Sequence, residues 1–481
     1  MDAMSQGFAR TQTVAVLGGG PGGYEAALAA AQLGAEVTLI ERAGVGGAAV
    51  MTDVVPSKSL IATADAAVAI AAASDLGVQL FARNDAGTPL RPEIAINLAA
   101  VNHRILALAA QQSEDMRQQL VDEGVRIISG HGRLDGPHAL VASTGEGGVD
   151  FDRIEAGTIV VAVGASPREL DSARPDGERI LTWTQLYDMK ALPEHLIVVG
   201  SGVTGAEFAS AYMNLGAQVT LVSSRDRVLP GEDGDAAEVL EKVFARGGMT
   251  VLSKARAESV TRTGDEVVVA LADGRTVTGS HCLLAVGSIP NTAGIGLEEA
   301  GVRLTPSGHI PVNRVARTEI PSVYAAGDCT TFVPLASVAS MQGRTAVFHA
   351  LGDTAIPPER GRIAANIFTA PEIATVGLQE RDLESSGLAG YAHKLPLAAN
   401  PRAKMIGVSE GFVKLFALEG SGTVVGGVIV APRASELIYP VAIAVERRLT
   451  VDQVSRVFAV YPSLTGSITD ATRAMHRVHG G

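Results

Sequence analysis

The stretch VAVLGGGPGGYEAALAAAQLGAEVTLIE, beginning at Val14, is answered by LIVVGSGVTGAEFASAYMNLGAQVTLVS, beginning at Leu196. Gly18, Gly20 and Gly23 recur as Gly200, Gly202 and Gly205, an offset of 182 residues. Each copy runs from an apolar strand through GxGxxG into an alanine-rich helix, then through an LGA turn into a second strand. The first glycine of such a motif permits the tight turn, the second lets main chain approach a pyrophosphate, and the third lets helix and strand pack closely. The helix N-terminus then offers unsatisfied N–H groups and the positive end of its dipole to phosphate. A single GxGxxG also serves as a plain connector, but two copies in the same context predict two dinucleotide-binding domains.

The second-strand ends differ. The first ends in TLIE and places Glu41 where a carboxylate suits the paired hydroxyls of an adenosine ribose. The second ends in TLVSSRDR, with Ser223 and Ser224 where an acid is expected. Loss of the acid removes repulsion against a 2′-phosphate, and Arg225 or Arg227 can pair with one. The second site is therefore expected to take NADPH as well as NADH, with Ser224 and Arg225 in contact; solvated loop arginines are the plainer alternative. Two further apolar strands end in Gly-x-x-Pro, at Gly164 and Gly287, and SVYAAGDCT places Asp328 after a strand, where it can accept hydrogen bonds from a polyol.

Composition excludes several classes. Hydrophobic residues make up 47% and charged residues 19%, as in folded proteins rather than disordered ones. The net charge of −12, without a basic run, argues against nucleic acid and anionic membrane surfaces as partners. Cys282 and Cys329 are too far apart for a CxxC motif and read as small apolar fillers. The first dozen residues lack an apolar h-region, and no apolar run is read as a membrane span. A cytoplasmic location is expected.

With the two glycine units, VYAAGDC and the C-terminal stretches FTAPEIATVGLQE, NPRAKM and GGVIVAPRASELI, the chain resembles the flavoprotein disulfide reductase family from about residue 12 onward. The resemblance implies an α/β fold of two Rossmann-like domains plus a C-terminal α+β dimerisation domain. The expected order is FAD domain 12–165, NAD(P)H domain 166–288, return to the FAD domain 289–357 and dimerisation domain 358–481. It implies FAD, NADPH or NADH, and a homodimer. Gly47, Gly132, Leu335 and Ala336 join the expected flavin contacts, and Val203 joins the nicotinamide-nucleotide contacts.

The same resemblance exposes what is missing. Family members carry GGTCxNxGCxPSK, whose two cysteines form the redox disulfide. Here GGAAVMTDVVPSK places Ala49 and Val54 at those positions, while Gly46, Gly47, Pro56, Ser57 and Lys58 remain. A C-terminal His-Pro…Glu is replaced as well, with Tyr461 at the histidine and Gly466 at the glutamate. Exchange with a disulfide needs a thiolate nucleophile, so disulfide reduction is excluded by residue chemistry. What remains is a flavin reducible by NAD(P)H, with Lys58 and Glu207 implied as an ion pair that tunes and orients it. A quinone is the expected acceptor, in the manner of the family's cysteine-less NAD(P)H:quinone reductases. Tyr461 either donates a hydrogen bond to that quinone or fills the space of the absent histidine. Soluble pyridine nucleotide transhydrogenation and a catalytically silent flavoprotein are the competing readings.

Overall fold

In each repeat the strand is a continuous apolar run, the pattern of a parallel sheet covered on both faces. The computed structural model describes residues 12–78, 80–81, 89–90, 94–144 and 150–479. Its first repeat forms β1 (Thr13–Leu17), α1 (Pro21–Gln32) and β2 (Glu36–Glu41). The second forms β3 (His195–Val199), α2 (Val203–Asn214) and β4 (Gln218–Val222). The chain divides into two compact units. One takes residues up to Pro56, Ile105–Pro167 and Gly287–Pro358; the other takes Ser57–Arg104, Arg168–Val286 and Glu359–Gly481.

The first unit is built on a five-stranded parallel sheet. β1 lies between β2 and strand Thr158–Val161, with Arg126–Ser129 and Val323–Ala325 at the edges. Strand order therefore reverses at β1, and the C-terminal ends of β1 and its neighbour mark the crevice where such sheets bind ligands. Ala15, Val16, Ile159, Val160 and Val161 are fully buried in this sheet.

The second unit repeats the arrangement. β3 lies between β4 and His281–Leu284, with Thr250–Leu252 and Ile180–Thr182 outermost, all parallel. It also holds a five-stranded antiparallel sheet in the order Ala364–Ile367, Glu372–Gly377, Val424–Ala431, Phe412–Leu418, Gly390–Pro396. Val376, Val413, Leu415 and Ile429 on that sheet share an apolar core with Val441 of helix Tyr439–Glu446 and Met475 of helix Gly466–His479. Lys414 is buried between its apolar neighbours because three carboxylates meet its ammonium group: Asp233 at 3.0 Å, Asp235 at 2.8 Å and Glu380 at 2.6 Å. Asp233 also caps helix Gly234–Arg246 by accepting from the N–H groups of Asp235 and Ala236.

A long helix runs over Leu98–Asp122. One sequence reading needs amending. The helical stretch Gly47–Leu76 is long and apolar enough to cross a bilayer by length and composition. It nevertheless breaks at Thr52 and carries Asp53, Lys58 and Asp65, and Lys58 is ion-paired within its own unit. A charged side chain at bilayer depth is costly, so these features disfavour a span.

Candidate flavin and nicotinamide-nucleotide site

Both glycine turns have the geometry their chemistry requires. Gly18 has φ +97° and Gly200 φ +116°; a Cβ on either would lie 2.4 or 2.2 Å from the carbonyl oxygen of Ala162 or Ala285. A Cβ on Gly23 would sit 1.8 Å from the Gly18 carbonyl oxygen, and one on Gly205 would sit 1.9 Å from that of Gly200. Gly20 and Gly202 differ in kind, since a Cβ there meets nothing within 4 Å. They are the N-caps of α1 and α2, and neither helix has a side-chain cap. The openness that a pyrophosphate needs is thus found at the second glycine of each turn, and uncapped N–H groups stand beside it. Val203, the first residue of α2, is exposed on the same turn.

Glu41 ends β2 half-buried. Its Oε2 accepts from Gly19 N at 2.6 Å, and its Oε1 accepts from Ala43 N at 2.7 Å and Gly44 N at 3.3 Å. Gly47, with φ +56°, lies close to the first turn, since a Cβ on it would come 2.7 Å from Gly20 Cα. Asp328 follows strand Val323–Ala325 on a turn whose Gly327 has φ +82°. Gln342 Oε1 accepts from Gly327 N at 3.0 Å, and Thr330 Oγ1 donates to Gly327 O at 2.8 Å. Burial raises the Asp328 carboxyl above its usual range, with His309 opposing. Leu335 is the N-cap of helix Ala336–Ala350, which also lacks a side-chain cap. Open glycine turns, free helix N-termini and a partly buried carboxylate fit a dinucleotide flavin.

Three expected glycines behave differently from these. Gly164 and Gly287 take left-handed backbone, φ +65° and +98°, in short links between strands, and a Cβ on either meets nothing within 4 Å. Gly132 is a packing glycine, where a Cβ would strike Leu17 Cδ1 at 2.4 Å and Ile40 Cγ2 at 3.1 Å.

In the altered segment, Gly46 (φ +99°) and Gly47 turn the chain into a short helix, Gly47–Met51. Thr52 leaves helical geometry at φ −138°, and a second helix starts at Val54. Thr52 N and Asp53 N both donate to Ala48 O, at 3.0 and 2.8 Å. Ala49 and Val54 flank the break, and neither offers a nucleophile. Cys282 and Cys329 do not replace them. Both are fully buried, burial pushes the Cys282 thiol up, and that of Cys329 is pushed up to about 12.

Lys58 and Glu207 are brought together within the second unit, Lys58 Nζ donating to Glu207 Oε2 at 2.7 Å. Sequence reasoning missed the third member. Glu207 Oε1 accepts from Phe368 N at 2.9 Å, and Lys58 Nζ lies 4.8 Å from the Phe368 ring centroid. Ala370 N also donates to Ser210 Oγ, one helical turn beyond Glu207, so FTAPE is fastened to α2 at two points that no sequence spacing signals. Ser224 and Arg225 are exposed, and Arg227 is tied back to Glu232 O at 3.1 Å. Tyr461 is 83% exposed and belongs to an exposed apolar run with Val457, Phe458 and Val460. Within this chain it fills no internal space.

Comparison with known proteins shows the family. Residues 12–343 match the pyridine nucleotide-disulphide oxidoreductase family, and residues 363–472 match its dimerisation domain. The chain is 50% identical over 471 residues to a Mycobacterium tuberculosis protein named NAD(P)H dehydrogenase (quinone), covering 96% of this chain and 93% of that one. It is 30% identical over 472 residues to a dihydrolipoyl dehydrogenase of Bacillus subtilis, covering 96% and 97%. The crystal structure of LpdA from Mycobacterium tuberculosis superposes with a TM-score of 0.90 at 49% identity, over 97% of this chain and all of that one. The chain belongs to the pyridine nucleotide-disulphide oxidoreductase family.

Proposed function

We propose that the chain is an FAD-dependent NAD(P)H:quinone oxidoreductase without disulfide reductase activity. One observation carries the reading: both nucleotide turns and the Lys58–Glu207–Phe368 set are built, while Ala49 and Val54 stand where a redox disulfide would be. The 50% identity to a relative named NAD(P)H dehydrogenase (quinone) supports it. FAD, when bound, would supply the redox chemistry between nicotinamide and acceptor, with no thiol required.

The chain's own residues bind and orient. Gly20, at the free N-terminus of α1, would hold the flavin pyrophosphate on the turn that Gly18 and Gly23 shape, Glu41 would take the ribose, and Asp328 would take the ribityl chain. Gly200, Gly202 and Gly205 do the same for NAD(P)H at α2. The Lys58–Glu207 pair is a fixed charge arrangement rather than a proton carrier, because Glu207 is buried and spends both oxygens on Lys58 and Phe368 N. Tyr461, exposed on one copy, reaches the acceptor site of a second copy in a homodimer and donates a hydrogen bond to a quinone oxygen. The enzyme works in the cytoplasm.

Anaerobic NADPH oxidation with menadione, before and after iodoacetamide treatment, tests the reading. Turnover that alkylation leaves unchanged is expected. Inactivation by the alkylating reagent would show that a thiol takes part after all.

A further inference from the structure

The duplication also shows where the two nucleotide sites part. In the first, the strand-end carboxylate of Glu41 takes the N–H of Gly19 at the second position of the glycine turn, and the N–H of Ala43 two residues on. One repeat later the corresponding residues are Ser223 and Ser201. Their hydroxyls hydrogen-bond each other at 2.7 Å, with Ser201 5% exposed and Ser223 not at all. Ser223 Oγ also accepts from Arg225 N at 3.1 Å, two residues on. The surroundings are conserved between the repeats. Gly46 N donates to Gly19 O at 2.7 Å, and Leu229 N donates to Ser201 O at 2.9 Å. Gly46 and Leu229 both have positive φ, at 99° and 50°. A neutral hydroxyl pair therefore does the bracing that a carboxylate does in the first site.

The two positions of each pair depend on one another. A Cβ on Gly19 would lie 3.2 Å from Glu41 Oε2 and 3.3 Å from its Cβ and Cγ, so a strand-end glutamate of this geometry wants glycine opposite. Ser201 places a side chain in the equivalent space, and only a short partner at 223 meets it. The loop that the pair braces carries the exposed Ser224 and Arg225, and Lys254 N and Ala255 N fasten it further by donating to Arg225 O and Ser223 O at 2.7 Å.

We propose that Ser201 and Ser223 form one coupled specificity element, which holds the 223–229 loop in the place Glu41 gives the first site but without negative charge, so that the second site accepts a nucleotide bearing a phosphate on its adenosine ribose. The proposal rests on the reading that the second unit binds NAD(P)H. Both serines are positioning residues, buried and acting through the loop. A glutamate at 223 would set its charge against that phosphate and favour NADH.

The test compares wild type with Ser223→Ala, Ser223→Glu and the double variant Ser201→Gly/Ser223→Glu. The flavin-loaded proteins are mixed anaerobically with NADPH or NADH, and flavin bleaching is followed without any acceptor, so the result does not depend on the quinone reading. Wild type should use NADPH at least as efficiently as NADH. Ser223→Glu should lose efficiency with both nucleotides, because Ser201 blocks the carboxylate. The double variant should recover NADH use, with its NADPH-to-NADH efficiency ratio lowered by about tenfold or more. Ser223→Ala should weaken both nucleotides and leave the ratio unchanged. A double variant that keeps the wild-type ratio, or an alanine variant that shifts it as far as the glutamate does, overturns the proposal. Wild-type flavin that neither nucleotide bleaches overturns it together with the nucleotide assignment.

Discussion

Replacing Lys58 by methionine removes the cation from a pair whose carboxylate is almost wholly buried. The side chains are 26% and 6% exposed for Lys58 and Glu207, so water reaches the lysine but hardly the glutamate. Breaking a fully buried pair costs about 3–5 kcal/mol, and partial exposure of the lysine lowers the expectation to about 1–3 kcal/mol. Glu207→Gln should cost about 1–2 kcal/mol, since an amide oxygen still accepts from Phe368 N while the charge is lost. In the double variant no buried carboxylate is left without its cation. Its loss should fall short of the sum of the singles by about 1–2 kcal/mol. Urea unfolding reads this through fluorescence, because Trp183 is the chain's one tryptophan, is buried, and belongs to the same unit as Glu207. Midpoints should shift at constant slope. Additivity of the two single losses to within about 0.3 kcal/mol would refute the coupling on which the reasoning rests.

Other outcomes follow from the same geometry. Lys414→Met should destabilise by about 1–3 kcal/mol, chiefly by leaving the buried Asp233 without its cation, since Asp235 keeps Lys394 at 2.6 Å and Glu380 is largely exposed. Because oxygens of the three lie within 4.8 Å of one another, millimolar Ca2+ should recover part of the lost melting temperature and EDTA should remove that gain. Burial raises the Asp328 carboxyl above its unfolded value, so its ionised form costs apoprotein stability once pH rises through the folded value. Asp328→Asn apoprotein should accordingly melt higher than wild type at pH 7, with the difference shrinking as pH falls, while FAD titration shows weaker binding. Gly202→Ala should leave thermal stability unchanged and abolish bleaching by NADPH, whereas Gly205→Ala should lower the melting temperature, since its methyl would lie 1.9 Å from Gly200 O.

The glycine turns were legible because each glycine answers a local demand of the chain, and the periodic strand–helix pattern around them is local as well. Glu41 could be placed from the length of the repeat, at the end of β2 eighteen residues past Gly23, and Asp328 from the Gly-Asp turn after its strand. The partners of these groups could not. Phe368 N reaches Glu207 across 161 residues, and Lys414 meets Asp233 across 181, distances over which no sequence spacing carries information. Ser223 was read as a gap where an acid should be, and its pairing with Ser201 became visible only when both repeats were built side by side. Gly132 carries no glycine-turn pattern, and its need for glycine comes from Leu17 and Ile40 packed on it. The apolar length of Gly47–Leu76 was missed because no uninterrupted apolar run spans it: Thr52, Asp53, Lys58 and Asp65 break the run while its average stays apolar.

Electron transfer from flavin to acceptor with no thiol between them sets this chain apart from the disulfide reductases. It is tested most directly by anaerobic NADPH oxidation with menadione, lipoamide and an NAD+ analogue offered in parallel to the same protein. Rapid turnover with menadione and none with lipoamide is the predicted result. Turnover with lipoamide would contradict the account outright, and turnover with the NAD+ analogue alone would make the protein a transhydrogenase instead.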